Sequence, residues 1–217
     1  MFSSAQTEVT QRLAAIRDFI SLLQATEQTG SGTSAATREG KGLVFIQLYA
    51  VYEYCIVSGV AAAVARVNAL SLRHDEIRKS LLSMVLDSDC SSIGASDGWG
   101  KRVQLFNNTV TSTSAQIRAT LFPKDNSHFR VKQLELIWNI FGVPAPVVSS
   151  PHHIGRIEEI VELRNSIAHG KQSPSDIGQR FSSPELIKRV TDIDSICLHF
   201  LTNLENHTQR RESLIHT

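Results

Sequence analysis

Two side chains in the stretch Ile157 to Lys171, I-E-E-I-V-E-L-R-N-S-I-A-H-G-K, have types suited to joint chemistry: the guanidinium of Arg164 and the imidazole of His169. Imidazole gives and takes a proton near neutral pH. Guanidinium keeps its charge, and its planar fork of donors matches a carboxylate or a phosphate.

At about 100° per residue, Leu163, Ile167, Ile160, Ile157, Ala168 and Val161 fall on one broad face of a helix, and Arg164 falls in the middle of it. A charge that cannot be shed must there meet a carboxylate, backbone carbonyls, a phosphate-bearing ligand or solvent at an interface. A structural arginine tied to a buried glutamate is one reading, and an arginine that meets a ligand is the other. Asn165 and His169 are four apart and share the adjoining polar edge with Glu158 and Glu162, which places the imidazole near the arginine's flank. Gly170 is the expected C-cap, with His169 in the last turn.

The run Arg164-Asn165-Ser166-Ile167-Ala168-His169 resembles the R-x4-6-H motif of HEPN domains, and Glu162 to Leu186 is similar to small prokaryotic HEPN proteins of the MAE-type and RiboL-PSP-associated branches. That resemblance implies an up-and-down helical bundle and a homodimer whose two motif helices meet, bringing two Arg/His pairs into one cleft. It further implies metal-independent RNA cleavage that leaves 2′,3′-cyclic phosphate and 5′-hydroxyl ends. His169 would then be the general acid or base, Arg164 would hold the phosphate oxygens, and Asn165 would orient His169 or the phosphate by hydrogen bonding. A toxin or antiviral defence effector, restrained by an antitoxin or inhibitor protein, is the expected setting. The run L-V-F-I-Q-L-Y-A-V-Y-E-Y resembles the second helix of these proteins, so Glu53 is expected to face the motif in a supporting role. Some relatives carry a tyrosine two residues after the histidine, where a partner enzyme modifies it. Here that position is Lys171, so control by tyrosine modification at that place is not expected, and the lysine reads either as a contact to the RNA backbone or, by default, as an exposed residue after the helix. The competing reading is a catalytically inactive HEPN scaffold that dimerises and binds a partner protein or nucleotide, with Arg164 holding Glu53.

The elements that must position these residues read as helices throughout. The chain has 217 residues, which suits one domain over 1–217. Hydrophobic residues make up 41% and charged residues 20%, as in a soluble globular protein, and a net charge of +1 means that any RNA site must be local. Cys55, Cys90 and Cys197 are too far apart to form a zinc motif and read as reduced cytoplasmic thiols. Adjacent histidines on a helix point about 100° apart, so His152-His153 reads as a surface helix start, and neither metal nor another cofactor is expected.

Phe2 to Leu23 is amphipathic, and Thr26 to Gly42 reads as a flexible connection. Leu43 to Val67 is apolar enough to span a bilayer, but Gln47 and Glu53 near its centre make it a buried core helix instead, with no membrane association. Helices are expected at Ser71 to Leu86, Trp99 to Phe122 and Phe129 to Phe141, with a break at Asp87 to Gly100. Lys124, Arg130 and Lys132 are candidates for phosphate contact, beside the default reading of solvated helix charges. Ser150-Pro151 opens the motif helix, about 151–169, and Ser183-Pro184 opens a closing helix, about 184–207, before a frayed tail from Gln209. The expectation is an all-α fold of five to six helices.

Overall fold

The computed structural model describes residues 1–29, 34–93, 98–118 and 129–215, and these form nine α-helices and one 3-10 helix. No strand occurs among the described residues, only two isolated bridges, Arg73 with Ser114 and Ile77 with Ile215. The all-α expectation holds, and the count of five to six is corrected to nine. The additional helices are short and lie in stretches rich in serine and glycine, where apolar periodicity gives no signal.

The chain groups into two compact units. The first holds 1–58, 128–134 and 146–201, and the second holds 59–127, 135–145 and 202–217.

In the first unit, α1 (Phe2–Thr29) buries Val9, Leu13, Ile16, Ile20 and Leu23, and α2 (Ala35–Ala69) buries Val44, Phe45, Leu48, Tyr52, Cys55 and Ile56. Each of the Val, Leu, Ile and Phe side chains among these contributes about 1.5–3 kcal/mol by leaving water. The expected connection at 26–42 is largely helix, with only 30–33 outside the described residues. Its charges explain why: Lys41, 5% exposed, pairs with Glu27 at 2.6 Å, which fixes the end of α1 to the start of α2. By length and composition α2 could cross a membrane, yet 56% of its most apolar window is buried within the protein, as in a core helix.

The motif helix is α7 (His152–Ala168), followed by α8 (Pro174–Gly178) and α9 (Ser183–Thr208). Pro151 is its N-cap and supplies no side-chain cap, so the helix begins one residue later than expected. A Cβ on Gly42 would collide with the Pro174 backbone, and one on Gly178 with the Arg38 carbonyl, so these two glycines let α8 lie directly on α2.

The second unit contains the last turns of α2, α3 (Lys79–Val85), α4 (Asp87–Ile93), α5 (Gly98–Thr109), most of α6 (Val131–Phe141) and the last turns of α9. The helix expected over 71–86 forms only from Lys79. The chain before it is committed to other bonds, with Ala115 N–H donating to the Leu72 carbonyl and Arg78 N–H to that of Leu214. The expected break at 87–100 contains α4 and the start of α5, with 94–97 outside the described residues. The helix expected over 99–122 ends at Thr109, after which 111–118 is non-helical, with Asn68 bonding both the N–H and the C=O of Ile117. Its expected end near Phe122 and Pro123 lies outside the described residues, as does Lys124. The tail expected to fray instead forms a 3-10 helix (Arg211–Ser213) and buries Leu214 completely.

Candidate functional site

The motif helix buries Ile157, Ile160 and Val161, and its last turns are less covered: Leu163, Arg164 and Ile167 are half-buried and Ala168 is exposed. Its end is a Schellman motif. Gly170 has φ +66, its N–H donates to the Ile167 carbonyl at 3.0 Å, and the Lys171 N–H donates to the Ser166 carbonyl at 2.9 Å. His169 is the C-cap residue, its backbone N–H bonded to the Asn165 carbonyl at 3.0 Å. The backbone beneath the imidazole is thereby fixed, while the ring is exposed and has no side-chain partner among the described residues.

Arg164 reaches back toward α2. Its guanidinium lies 4.8 Å from the centroid of the Tyr49 ring and donates to Asn165 Oδ1 at 3.0 Å. Tyr49 is the residue that sequence reasoning missed. Its hydroxyl donates to Glu53 Oε1 at 3.4 Å, so Tyr49 stands between the acid and the arginine. Among the described residues no ion pair joins Glu53 to Arg164, which corrects the expectation of a direct contact. Burial, and next the Glu53 carboxylate, push the Tyr49 phenol above its ordinary value, and a backbone hydrogen bond from Phe129 and the charge of Arg164 pull the other way. The phenol is therefore a neutral donor near neutral pH. The signal was present in the sequence, since Tyr49 and Glu53 are four apart on one helix.

The structure therefore brings Arg164, Asn165, Tyr49 and Glu53 together, and no contact among the described residues ties His169 to Arg164. Arg130 is committed to the motif helix by ion pairs with Glu158 and, at 3.4 Å, with Glu162. Burial lowers its pKa, and hydrogen bonds and charge from Glu158 and then Glu162 together outweigh that and hold it above the ordinary arginine value. Lys132 and Lys171 are exposed.

The opposite end of α7 carries a polar seam with α9. Arg156 bonds Asp192 Oδ2 at 2.8 Å and also pairs with Glu159, which receives Arg189 at 2.7 Å. The His152 and His153 rings, expected to diverge, lie 4.2 Å apart between centroids. They stand in the first helical turn, each beside a serine hydroxyl, His152 with Ser150 and His153 with Ser149, and His153 is buried, which corrects the reading of both as a surface helix start. A separate cavity of about 570 Å³ lies in the second unit among α3, α4 and α5, lined by Leu82, Leu86, Leu105 and Phe106 and by none of the motif residues.

An all-α chain in which an R-x4-H motif closes one helix has the features of the HEPN class. Within that class the chain belongs to the MAE_28990-like HEPN family, whose model it matches over residues 1–213. No curated protein and no solved structure matches the chain significantly.

Proposed function

We propose that the chain is a metal-independent endoribonuclease acting as a toxin or defence effector in the cytoplasm, with a composite Arg/His site at a homodimer interface of up-and-down bundles. The observation that carries this reading is the exposed His169 imidazole, held on a fixed backbone at the end of the helix that also carries Arg164. A partner copy meeting α7 along its half-covered last turns would supply an arginine beside this histidine, which its own Arg164 does not provide. Leu163, Ile167 and Ala168 are the apolar residues available for that contact.

The reaction needs three things. The 2′-hydroxyl loses a proton, the phosphate gains negative charge as it becomes five-coordinate, and the 5′-oxygen is protonated as it leaves. His169 serves as general acid or base, and Arg164 neutralises the growing charge with two or more N–H donors. Tyr49 positions that guanidinium from beneath, and Glu53 orients Tyr49. Asn165 accepts from Arg164 and so sets the direction of its fork. Lys171 and Lys132, both exposed, would contact the RNA backbone. Arg130 could do so only by leaving Glu158 and Glu162. An antitoxin or inhibitor protein would restrain the enzyme.

The second reading, an inactive binding scaffold, is favoured by the engagement of Arg164 with Tyr49 and Asn165, which gives the arginine a structural role. Typing of the product ends distinguishes the two. The nuclease produces termini that resist phosphatase until the cyclic phosphate is opened and 5′ ends that polynucleotide kinase labels directly. Ends bearing 3′-hydroxyl and 5′-phosphate would overturn the proposed chemistry, and absence of cleavage by the folded dimer would favour the scaffold.

A further inference from the structure

We propose that His152, His153 and Asp192 form a binding site for a zinc-class divalent metal ion, at the end of α7 opposite the Arg/His motif. One potential ligand atom from each of the three lies within 4.8 Å of the others. Three features of the surroundings suit a metal rather than a chance meeting of polar groups.

The first is the state of the imidazoles. His152 Nδ1 is 2.8 Å from Ser150 Oγ and His153 Nδ1 is 3.2 Å from Ser149 Oγ. A ligating histidine usually gives its second ring N–H to an oxygen, which fixes the tautomer and directs the remaining lone pair at the ion. The run Ser149-Ser150-Pro151-His152-His153 supplies one hydroxyl for each ring.

The second is the carboxylate. Asp192 Oδ2 accepts from Arg156 Nε at 2.8 Å, and Asp192 Oδ1 faces His152 Nε2 at 3.5 Å. One oxygen is therefore anchored and the other points at the imidazole. Glu159 pairs with Arg156 and with Arg189, so each of these arginines already has a carboxylate partner. An ion entering here gains its affinity from ligand bonds rather than from a negative field.

The third is the pattern of burial. His153 is 4% exposed and Asp192 7% exposed, so two ligands are held by packing. His152 is exposed and can swing. Bonds of about 2.0–2.1 Å in a tetrahedral site place ligand atoms about 3.3 Å apart, and rotation of His152 closes the difference. Two imidazoles, one carboxylate and a water molecule make a donor set suited to Zn²⁺.

About 25 Å of helix separates His152 from His169, so this ion is remote from the phosphate chemistry. Its role is to pin α7 to α9. Full-length protein without a histidine tag, stripped with EDTA and dialysed, would be titrated with Zn²⁺ by calorimetry and with Co²⁺ by visible absorption. The expected result is one equivalent of Zn²⁺ per chain, a Tm raised by several degrees at saturation, and intense d–d bands of a low-symmetry Co²⁺ site. The exposed His152→Ala variant should fold with the Tm of the stripped wild type and bind at least tenfold more weakly, and H152A/H153Q should lose the site. No stoichiometric binding by wild type, or binding that H152A and H152A/H153Q leave unchanged, would overturn the proposal.

Discussion

The Tyr52 side chain is 1% exposed, and its hydroxyl has no hydrogen-bond partner among the described residues. Burial, before any neighbouring charge, pushes its pKa well above the ordinary phenol value, as expected for a polar group surrounded by apolar atoms. An unsatisfied buried hydroxyl costs about 1–3 kcal/mol, whereas the ring alone packs favourably. Tyr52→Phe is therefore expected to stabilise the protein by about 1 kcal/mol, read as a rise in Tm. A fall in Tm would mean that the hydroxyl is bonded in solution. Tyr49, three residues earlier, is the contrasting case, because its hydroxyl reaches Glu53 and its ring supports Arg164. At this scale the sequence marked Arg164, His169 and Glu53 by type alone. It could not separate Tyr49 from Tyr52 and Tyr54, since three tyrosines in six residues of an apolar helix look alike until packing assigns each a side.

Among the elements, glycine has opposite meanings at different positions. Gly42 faces the Pro174 backbone at contact distance, so Gly42→Ala should destabilise by about 1–3 kcal/mol or more, because the obstruction is backbone and cannot rotate away. Gly155 lies in the interior of α7 with nothing within 4 Å of an added Cβ, and Gly155→Ala should stabilise by about 0.5–1 kcal/mol through helix propensity. Chemical or thermal denaturation of the two variants checks both signs, and equal effects would contradict the close approach of α8 to α2. The Schellman glycine was legible beforehand because Gly170 comes two residues after Ala168, the last apolar residue of a periodic run. The close-approach glycines were not, since the 26–42 segment reads as a linker until the Lys41–Glu27 pair and the α8 contact are seen. Helix α5 shows the converse. Trp99, Val103 and Phe106, at spacings of four and three, and Val110 just past its end, four further on, are all exposed. Periodicity reports an apolar face and not what covers it.

Across the whole molecule, fold class and family were legible because long amphipathic runs and the R-x4-H string survive without knowledge of tertiary contacts. The nine-helix count was not, since α4 and α8 have seven residues or fewer, and runs that short carry too few apolar residues to show a helical period. A global response to pH follows from His207. Its Nε2 lies 3.0 Å from the Phe141 carbonyl. Burial first, and then Arg78 and Arg210, lower its pKa below the ordinary value near 6.5 and outweigh the opposing carbonyl bond. The unfolded chain then takes up this proton before the folded one does. The contribution is fully present above pH 6.5 and is lost as pH falls from there through the folded-state pKa. Stability measured from pH 7.5 downward should decline below about 6.5, and His207→Gln should flatten that decline. An unchanged slope in the variant would assign the effect to another group.

The measurement closest to the central claim is cleavage of total RNA and of tRNA in excess EDTA by purified wild type and by His169→Ala, with oligomeric state and Tm recorded for both. The account predicts cleavage by wild type without metal and a loss of at least about 100-fold in the variant, with dimer and Tm nearly unchanged because the imidazole is exposed and unbonded. Intact RNA with a folded wild-type dimer, or equal cleavage by the variant, would contradict it.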